Sequence, residues 1–365
     1  MKIVSPLLKR VVYPSFAKAG VFRHTAAGGL AVVTYHGVLP PGYELADPIL
    51  DDNLLSADVF RQQIRLLKTH YHVISPEEML LWSEKRFVFP PRAVLLTCDD
   101  GLANNLTEML PVLEEEGVRC LFFVTGASAN DGPRTLWYEE LFFLFLRAPA
   151  GSFRVSAADV EIGGVLEGRE QRRVLWWNSV KQLSQVNADS RETFLEAARV
   201  RLGTGNVETP LSASRALAER RFRLLNRAEV KQLDSSGMTI GAHSMSHPLL
   251  SYLPPELAHA EITESRSCLE AVLGKRVWAF AYPFGDPQSV TPEVLTMAKE
   301  AGYAAAFLNY GGGLGSDLPL YEIPRIHVTA SMGLAELEAH VAGFYSSLQR
   351  RAGRSPLDGL RVARG

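Results

Sequence analysis

The chain contains seven short apolar runs of β-strand length, separated by longer segments of mixed polarity. In chain order they are AVVTYH (31–36), AVLLTC (93–98), RCLFFVT (119–125), TIGAH (239–243), VWAFAYP (277–283), AAAFLN (304–309) and IPRIHV (323–328). Apolar and polar residues do not alternate along these runs with a period of two. Such runs are typical of parallel strands that are covered on both faces.

Signals for helices lie between the runs. Ser56 predicts the N-cap of a helix that extends to His70, and SPEE at residues 75–78 predicts a capping box with proline at the first helical position. Another helix begins near Pro255 and ends before Gly274. Because strands and helices alternate, the pattern favours a parallel α/β fold, and seven such units favour a barrel over an open sheet.

The interval from about residue 128 to 225 is longer than one crossover connection needs, and it predicts a helical insertion in the barrel. Its helical patterns lie at residues 137–146, 175–183 and 189–202. Asp189 and Glu192 predict a capping box for the last of these helices. The tryptophans of the insertion are Trp137, Trp176 and Trp177. They indicate either the core of a helical subdomain or a lid or acceptor-binding wall beside an active site.

Composition limits the class of protein without choosing a function. The chain has 365 residues, 47% of them hydrophobic, and its 38 Lys and Arg nearly balance its 40 Asp and Glu. This composition describes a soluble globular protein and argues against a nucleic-acid binder that relies on a general positive field. Three cysteines are too few for a disulfide framework, and Lys and Arg interrupt each apolar stretch near the N-terminus. We therefore expect a cytoplasmic protein.

The two ends of the chain are more basic than the rest. Residues 1–43 carry five Lys or Arg and no carboxylate, and residues 350–365 carry five Arg and one Asp. We predict a basic N-terminal segment (1–30), a barrel (31–345) and a basic C-terminal tail (346–365). The basic ends are either solvated or in peripheral contact with the anionic inner face of the cell membrane. The sequence does not predict an oligomeric state.

Polar side chains stand at the C-terminal end of every apolar run. They are His36, Asp99 with Asp100, Thr125, His243, Tyr282 with Pro283, Asn309 and His327. The C-terminal ends of parallel barrel strands share one face, on which active sites are built. The sequence therefore predicts that these residues converge on one site.

Two histidines and two carboxylates in this set suggest a metal site. His243 and His247 are four residues apart on a predicted loop, and Asp99 and Asp100 are adjacent at a strand end. Neighbouring carboxylates repel each other, and a cation relieves that repulsion. Two imidazoles and one carboxylate suit catalytic zinc, and cobalt or another divalent ion is an alternative. The second carboxylate is then placed to take a proton from an attacking water.

These motifs resemble those of the polysaccharide deacetylases, the NodB-homology or carbohydrate esterase family 4 proteins. The family motif T-F-D-D-G matches residues 97–101 except at Cys98, and H-[ST]-x-x-H matches residues 243–247 in full. Residues 281–285 (AYPFG) match R-x-P-[YF]-G in part, without the arginine, and residues 325–327 (RIH) match the leucine-x-histidine motif in part.

The resemblance implies a fold and a set of roles. The fold is a distorted, NodB-like (β/α)7-type barrel. The metal ligands are Asp100, His243 and His247, the general base is Asp99 and the general acid is His327. A fourth family motif is not recognisable, although Asp317 is a candidate for it.

Amide hydrolysis defines what the remaining residues must do. It requires an activated water, a stabilised tetrahedral oxyanion and a proton for the departing amine. The resemblance implies that a backbone N–H near Phe284 helps to hold the oxyanion. We predict substrate or oxyanion contacts at Tyr282, Pro283, Phe284 and His36. His36 is otherwise a buried histidine with its hydrogen bonds satisfied.

The third motif lacks the arginine that orients the catalytic aspartate in this family. Arg325 lies two residues before His327 on the same predicted strand, so both side chains point to the same face. We hypothesise that the Arg325 guanidinium takes over the missing role and holds Asp99.

Two classes of function follow from these residues. The favoured one is a metal-dependent deacetylase that hydrolyses the N-acetyl group of an amino sugar in a polysaccharide or a lipid-linked glycan precursor, as in surface-polysaccharide assembly. The alternatives are a weakly active or inactive carbohydrate-binding or scaffold protein of the same fold, and an O-deacetylase or deformylase.

Overall fold

Seven parallel strands close into a barrel within the residues that the computed structural model describes, which are 6–25, 29–130, 135–203, 215–287, 289–312 and 318–351. The strands in chain order are β1 (Leu30–Tyr35), β2 (Val38–Leu39), β3 (Leu55–Ser56), β4 (His72–Ile74), β5 (Ala93–Cys98), β6 (Leu121–Val124), β7 (Gly151–Ala157), β8 (Val160–Leu166), β9 (Thr239–Ala242), β10 (Ala279–Ala281), β11 (Ala305–Gly311) and β12 (Ile323–His327). The barrel order is β1-β12-β11-β10-β9-β6-β5, and β5 closes the ring by pairing with β1. The predicted barrel is confirmed, and each of its strands overlaps a predicted apolar run.

Helices connect the strands and cover the barrel. They are α1 (Tyr13–Lys18), α2 (Val21–Thr25), α3 (Ala57–His70), α4 (Pro76–Ser83), α5 (Leu110–Glu115), α6 (Trp137–Arg147), α7 (Arg169–Leu183), α8 (Ala188–Arg201), α9 (Arg215–Phe222), α10 (Arg227–Ser235), α11 (Pro255–Leu273), α12 (Pro292–Glu300), α13 (Leu334–Val341) and α14 (Phe344–Arg351). Short π-helical or 3₁₀ turns occur at Leu8–Val12, Asn105–Met109, Gly126–Asn130 and Leu250–Tyr252.

Three of the helix boundaries predicted from sequence are present. Ser56 caps α3 by accepting a hydrogen bond from the Val59 N–H at 3.3 Å. Ser75 and Glu78 form the reciprocal capping box of α4. Gly274 ends α11 with a φ of 67°, a left-handed conformation that glycine adopts without steric cost.

Both faces of the barrel strands are buried, which explains why the sequence runs lack alternation. Val94 and Leu96 of β5 pack outward in the layer that contains Ile64 of α3. Leu95, between them, belongs to a second cluster that also contains Phe123. Since successive side chains of a strand point to opposite faces, a strand packed on both faces reads as uniformly apolar.

The insertion is not purely helical, and the prediction was wrong in this respect. Its helices α6 to α9 are accompanied by the antiparallel hairpin β7–β8, whose turn residues Ala158 and Asp159 both have positive φ. Alternate residues of the hairpin are buried, including Phe153 and Ile162. They pack in a cluster with the Phe-rich face of α6, so the insertion has an apolar core of its own. The period of two was therefore present in the sequence, but no glycine or asparagine marked the turn.

The start of α8 also differs from the prediction. Its N-cap is Asn187, whose side-chain oxygen accepts a hydrogen bond from the Ser190 N–H at 2.8 Å. The predicted capping pair, Asp189 and Glu192, lies inside the helix, where Glu192 pairs with Arg199 instead. Two overlapping cap signals compete here, and the earlier one extends the helix by one residue.

The N-terminal segment is packed against the C-terminal helices. Tyr13 and Phe22 form a cluster with residues of α13 and are in ring contact with Phe344 of α14. Within the described residues, no helix is both long enough and apolar enough to span a bilayer. The predicted tail beyond residue 351 and the candidate residue Asp317 lie outside the described residues.

Candidate metal centre and active site

The polar strand ends meet at a cavity of about 240 Å³ on the C-terminal face of the barrel. The barrel strand ends contribute His36, Asp99, Asp100, His243 and Asn309 to its wall, and the loops after β9 and β10 contribute His247 and Phe284. The insertion supplies Tyr138, Glu139, Trp176, Trp177 and Arg221, and the segment before β3 supplies Asn53. The sequence predicted that the barrel residues share one face. In the structure they line one cavity together with side chains from the insertion.

Three of these residues form a potential metal-binding group. One ligand atom from each of Asp100, His243 and His247 lies within 4.8 Å of the others, and all three residues are buried. The Asp100 Oδ1 is 3.5 Å from the His243 Nε2 and 3.3 Å from the His247 Nε2. Burial would raise the pKa of Asp100, but hydrogen bonds from the two imidazoles hold it well below its usual range. The carboxylate is therefore ionised and available as a ligand.

The donor set and the surrounding hydrogen bonds fit a divalent cation. The His243 Nδ1 lies 2.8 Å from the Ala281 carbonyl oxygen, so it donates its proton there, and in the neutral ring the Nε2 lone pair is then available to a cation. Two nitrogens and one carboxylate oxygen with open positions form the ligand set of catalytic zinc sites. The chemistry of these side chains thus supports the predicted ligands.

The backbone around the site adopts uncommon conformations. Asp100, Ser244, His247 and Phe284 have φ values of 75°, 57°, 59° and 60°, all in the left-handed region. Non-glycine residues seldom adopt these angles, and their occurrence is concentrated at functional sites. The Ser244 hydroxyl accepts a hydrogen bond from the His247 N–H at 3.0 Å, which stabilises the turn between the two histidines.

A buried network attaches this turn to neighbouring helices. The Ser246 N–H donates to Glu261 of α11 at 2.8 Å, and Arg191 of α8 donates to the Ser246 hydroxyl. Trp137 of α6 donates its indole N–H to the His247 carbonyl oxygen at 3.1 Å. The Arg191 guanidinium lies over the Trp137 ring, 5.0 Å from its centroid. The insertion therefore supports the metal-binding turn from outside.

Arg325 lies against Asp99, as the hypothesis about the missing arginine requires. Its Nη1 and Nη2 donate to the two carboxylate oxygens of Asp99 at 2.7 and 2.6 Å, and its Nε donates to the Leu308 carbonyl oxygen at 2.6 Å. Arg325 is fully buried and Asp99 nearly so. Burial would raise the pKa of Asp99, but the charge of Arg325 lowers it below its usual value. Bidentate pairing also fixes the orientation of the carboxylate.

The two candidate proton donors, His36 and His327, differ in their access to the cavity. Among the described residues, His36 lines the cavity and His327 does not. The ring nitrogens of His327 lie 3.1 Å from the Asn309 Oδ1 and 3.0 Å from the Asn53 Oδ1. Burial lowers the pKa of His327 to about 3, so the ring is neutral and carries one N–H, which donates to one of these two amide oxygens.

His36 is available where His327 is not. Its Nδ1 has no hydrogen-bond partner among the described residues, and its ring lies edge-on against that of His327, with 4.9 Å between the centroids. Burial lowers the pKa of His36, and the charges of Asp100 and Asp99 act in the opposite direction. The geometry thus favours His36 over the predicted His327 as the imidazole that meets a substrate.

The third-motif residues divide between the core and the cavity. The Tyr282 side chain is fully buried and donates its hydroxyl to the Tyr321 carbonyl oxygen at 3.0 Å. Among the described residues, neither Tyr282 nor Pro283 lines the cavity, so the predicted substrate contact of these side chains is not supported. Phe284 lines the cavity and packs its ring 4.9 Å from that of His247.

Sequence reasoning missed several side chains of the cavity wall. Tyr138 packs against His247 at 5.2 Å between ring centroids, and Glu139 and Arg221 form a buried ion pair beside it. Arg221 also pairs with Asp51 at 2.8 Å. These residues are far apart in the chain, and none of them lies at the end of a barrel strand. Neither motif spacing nor position after a strand could therefore predict that they line the site.

Comparisons with known proteins agree with the geometry of the site. The family model described as polysaccharide deacetylase matches residues 88–163 and 202–306. A putative polysaccharide deacetylase of Bacillus subtilis (strain 168), YxkH, is 22% identical over 117 residues, which are 32% of this chain and 41% of that relative. The chain thus spans about two-fifths of the length of the curated relative that it matches.

Solved structures show the same fold at low sequence identity. The Streptococcus pyogenes deacetylase PplD in complex with acetate superposes with a TM-score of 0.53 and 16% identity, over 86% of this chain and 98% of that one. IcaB from Ammonifex degensii gives 0.52 and 18%, over 87% and 98%. The family match, the shared barrel and the Asp-His-His group at its strand ends lead to one conclusion: this chain belongs to the polysaccharide deacetylase family.

Proposed function

We propose that the protein is a metal-dependent deacetylase that removes the acetyl group from the nitrogen of an amino sugar in a glycan. The observation that carries the proposal is the position of Asp99. It is ionised, held by Arg325 at 2.7 and 2.6 Å, and adjacent in the chain to the metal-binding Asp100. A carboxylate fixed next to a divalent cation site is the arrangement that hydrolysis of an amide requires.

The cation, for which we propose zinc, would be held by Asp100, His243 and His247. When bound, it supplies a Lewis acid that polarises the substrate carbonyl and lowers the pKa of water. Asp99 accepts the proton of the attacking water. Because Arg325 binds both carboxylate oxygens, the side chain stays oriented toward the cavity during this transfer.

The chain also offers groups for the oxyanion and the leaving amine. Among the described residues, the Gly285 N–H donates to the Pro283 carbonyl oxygen and the Asn309 N–H donates to the Gly285 carbonyl oxygen. The Phe284 N–H takes part in neither of these bonds. We propose that it donates to the oxyanion. In its imidazolium form, His36 then donates a proton to the departing amine and becomes neutral. Among the described residues its Nδ1 has no hydrogen-bond partner, and its ring lines the cavity.

Acetate release from N-acetylated oligosaccharides tests the proposal. We expect zinc-loaded protein to release acetate, and both an Asp99→Asn variant and chelator-treated protein to lose the activity. Readdition of zinc or cobalt should restore the treated wild type but not the variant. Failure of the metal-loaded wild type to release acetate from any N-acetylated sugar would reject the proposal and favour a binding or scaffold role.

O-deacetylation and deformylation use the same machinery, so the assay includes matched substrates. Faster hydrolysis of an O-acetylated or N-formylated sugar than of the N-acetylated one would reassign the activity. The complete Asp99–Arg325 pair argues against an inactive scaffold, because it restores the contact that the third motif lacks.

We further propose that the substrate is carried on a lipid at the inner face of the cell membrane, which the N-terminal helical segment contacts. Leu7 and Val11 are 63% and 52% exposed, and Arg10 and Lys18 of the same segment are also exposed. Apolar and basic residues together bind anionic bilayers. The protein should cosediment with anionic vesicles and less so at high salt. Equal recovery in the supernatant with and without vesicles would contradict the contact.

A further inference from the structure

A buried charged cluster forms the insertion side of the cavity. Arg221 of α9 donates its Nε to the Asp51 Oδ1 at 2.8 Å and its Nη2 to both the Leu50 carbonyl oxygen at 2.8 Å and the Glu139 Oε1 at 3.1 Å. The other carboxylate oxygen of Asp51 accepts the Ala46 N–H at 2.8 Å. Asp51 therefore has its hydrogen bonds satisfied and serves to hold Arg221 in place.

The cluster leaves one donor and one acceptor without partners. Among the described residues, neither the Arg221 Nη1 nor the Glu139 Oε2 has a hydrogen-bond partner. Arg221 is 0% exposed and Glu139 is 4% exposed, and both line the cavity that contains the metal-binding group. Leaving charged groups buried with unused hydrogen-bonding atoms is costly. A ligand bound in the cavity, which both side chains line, would supply the partners that the fold does not.

Aromatic rings stand beside this pair. Trp177 packs against Phe284 at 5.8 Å between centroids, and Trp176 is fixed by donating its indole N–H to the Tyr138 carbonyl oxygen at 2.7 Å. Both tryptophans line the cavity. A wall of aromatic side chains with a few oriented polar groups is the usual form of a small-molecule subsite.

We infer that Arg221 and Glu139 form a subsite for the hydroxyl groups of the substrate's sugar ring. A hydroxyl accepts a hydrogen bond from the Arg221 Nη1 and donates one to the Glu139 Oε2, which satisfies both open atoms at once. The aromatic wall packs against the apolar face of the ring. This inference rests on the proposed function and names Arg221 and Glu139 as residues that determine its specificity.

The charges around the pair favour a neutral ligand over a phosphate. Arg221 is already faced by two carboxylates, Asp51 and Glu139, and the charge of Asp100 also acts on Glu139. These carboxylates would repel an anion bound here, whereas they would not repel a neutral hydroxyl group. A lipid-linked pyrophosphate, if the substrate carries one, lies elsewhere.

Calorimetric titration of the zinc-loaded full chain separates the two ends of the cavity. The probe for the subsite is tri-N-acetylchitotriose, and the probe for the metal end is acetate, which has no hydroxyl. We expect Glu139→Gln and Arg221→Lys to weaken trisaccharide binding at least tenfold while acetate affinity changes less than twofold. Glu161→Gln and Arg154→Lys, the same changes in the exposed pair of the β7–β8 hairpin, should alter neither affinity.

Several results would overturn the inference. These are unchanged trisaccharide affinity in both variants, equal weakening of both probes, no trisaccharide binding by wild type that binds acetate, or Arg221-dependent binding of inorganic phosphate that is tighter than trisaccharide binding. Wild-type protein that binds the trisaccharide through both residues but releases no acetate supports the subsite and rejects the proposed activity.

Discussion

Asp99 depends on a single guanidinium for its ionisation and orientation. Arg325 reaches both of its oxygens and also donates to the Thr97 hydroxyl at 3.1 Å and to the Leu308 carbonyl, so the arginine is itself fixed. Removing the charge would leave an ionised carboxylate buried without a partner, which costs about 3–5 kcal/mol in comparable pairs. A lysine keeps the charge but loses the bidentate contact.

Arg325→Lys should lower kcat by about 10- to 100-fold while zinc content stays unchanged, because the base loses its orientation but the metal ligands do not. The acidic limb of the kcat/KM profile should move to higher pH, since the pKa of Asp99 is lowered less. Arg61→Lys, in an exposed pair on α3, is the control. An unchanged profile would show that Arg325 does not act on Asp99.

The roles of His36 and His327 can be separated by mutation. His36→Ala should lower kcat by about 100- to 10,000-fold, the range for loss of a proton donor, and His327→Ala should lower it by much less. His327 then has a positioning role through its contacts with Asn53 and Asn309. His340→Ala, a histidine of α13 outside the cavity, is the control. A larger loss in His327→Ala would restore the general acid predicted from sequence.

Glu139 makes the stability of the metal-free chain depend on pH. Burial raises its pKa from 4.5 to about 7, and the charges of Asp100 and Asp51 add to this shift, whereas Arg221 opposes it. The folded chain therefore holds the proton more tightly than the unfolded chain. Its stabilising contribution is complete below pH 4.5 and is lost as the pH rises to about 7, a change of about 3 kcal/mol.

Glu139→Gln should remove this component. In urea unfolding, the free energy of unfolding of the variant should rise relative to wild type between pH 4.5 and pH 8. For Glu161→Gln on the exposed hairpin, the free energy of unfolding should change with pH in the same way as that of wild type. Parallel curves for Glu139→Gln as well would mean that the carboxyl group titrates normally.

At the scale of elements, the insertion contacts the turn that carries His243 and His247. Arg191 of α8 is buried, donates to Ser246 between the two histidines and lies over Trp137 of α6. A structural subdomain and a wall beside the active site were alternatives at the sequence level. Among the described residues, α6 both packs in the core of the insertion and lines the cavity, whereas α8 packs in that core and contacts the turn through Arg191.

Arg191→Met should therefore weaken zinc binding by about 10- to 100-fold, because the turn loses a contact that orients its imidazoles. The zinc dissociation constant is measured by competition with a chelator, and circular dichroism checks that the barrel remains folded. Arg201→Met, at the exposed end of α8, is the matched control. Unchanged zinc affinity in Arg191→Met would show that the turn holds its conformation without α8.

Local signals decided where most elements begin, and failed where two signals competed. The caps at Ser56 and Ser75 formed as predicted because each depends only on residues three positions apart. At α8, Asn187 took the cap from Asp189, and at β7–β8 the alternation was visible but the turn at Ala158 and Asp159 lacked its usual residues. These errors concern the choice between neighbouring local structures, not the presence of an element.

At the scale of the molecule, the barrel follows from a repeated pattern and the cavity does not. Seven runs covered on both faces favour a closed parallel sheet with helices around it, and the strand ends then share one face. The insertion joins that face only through contacts between residues distant in sequence, such as Arg221 with Asp51 at 2.8 Å.

The sequence by itself determined the seven strands, their direction, and the adjacency of Asp99, Asp100, His243 and His247, because periodicity and strand ends are local properties. It also indicated Arg325, because residues two apart on a strand share a face. Only the tertiary structure decided which imidazole reaches the cavity and which charged pair of the insertion faces it. Burial and hydrogen-bond partners depend on side chains brought together from remote segments, and no local pattern records them.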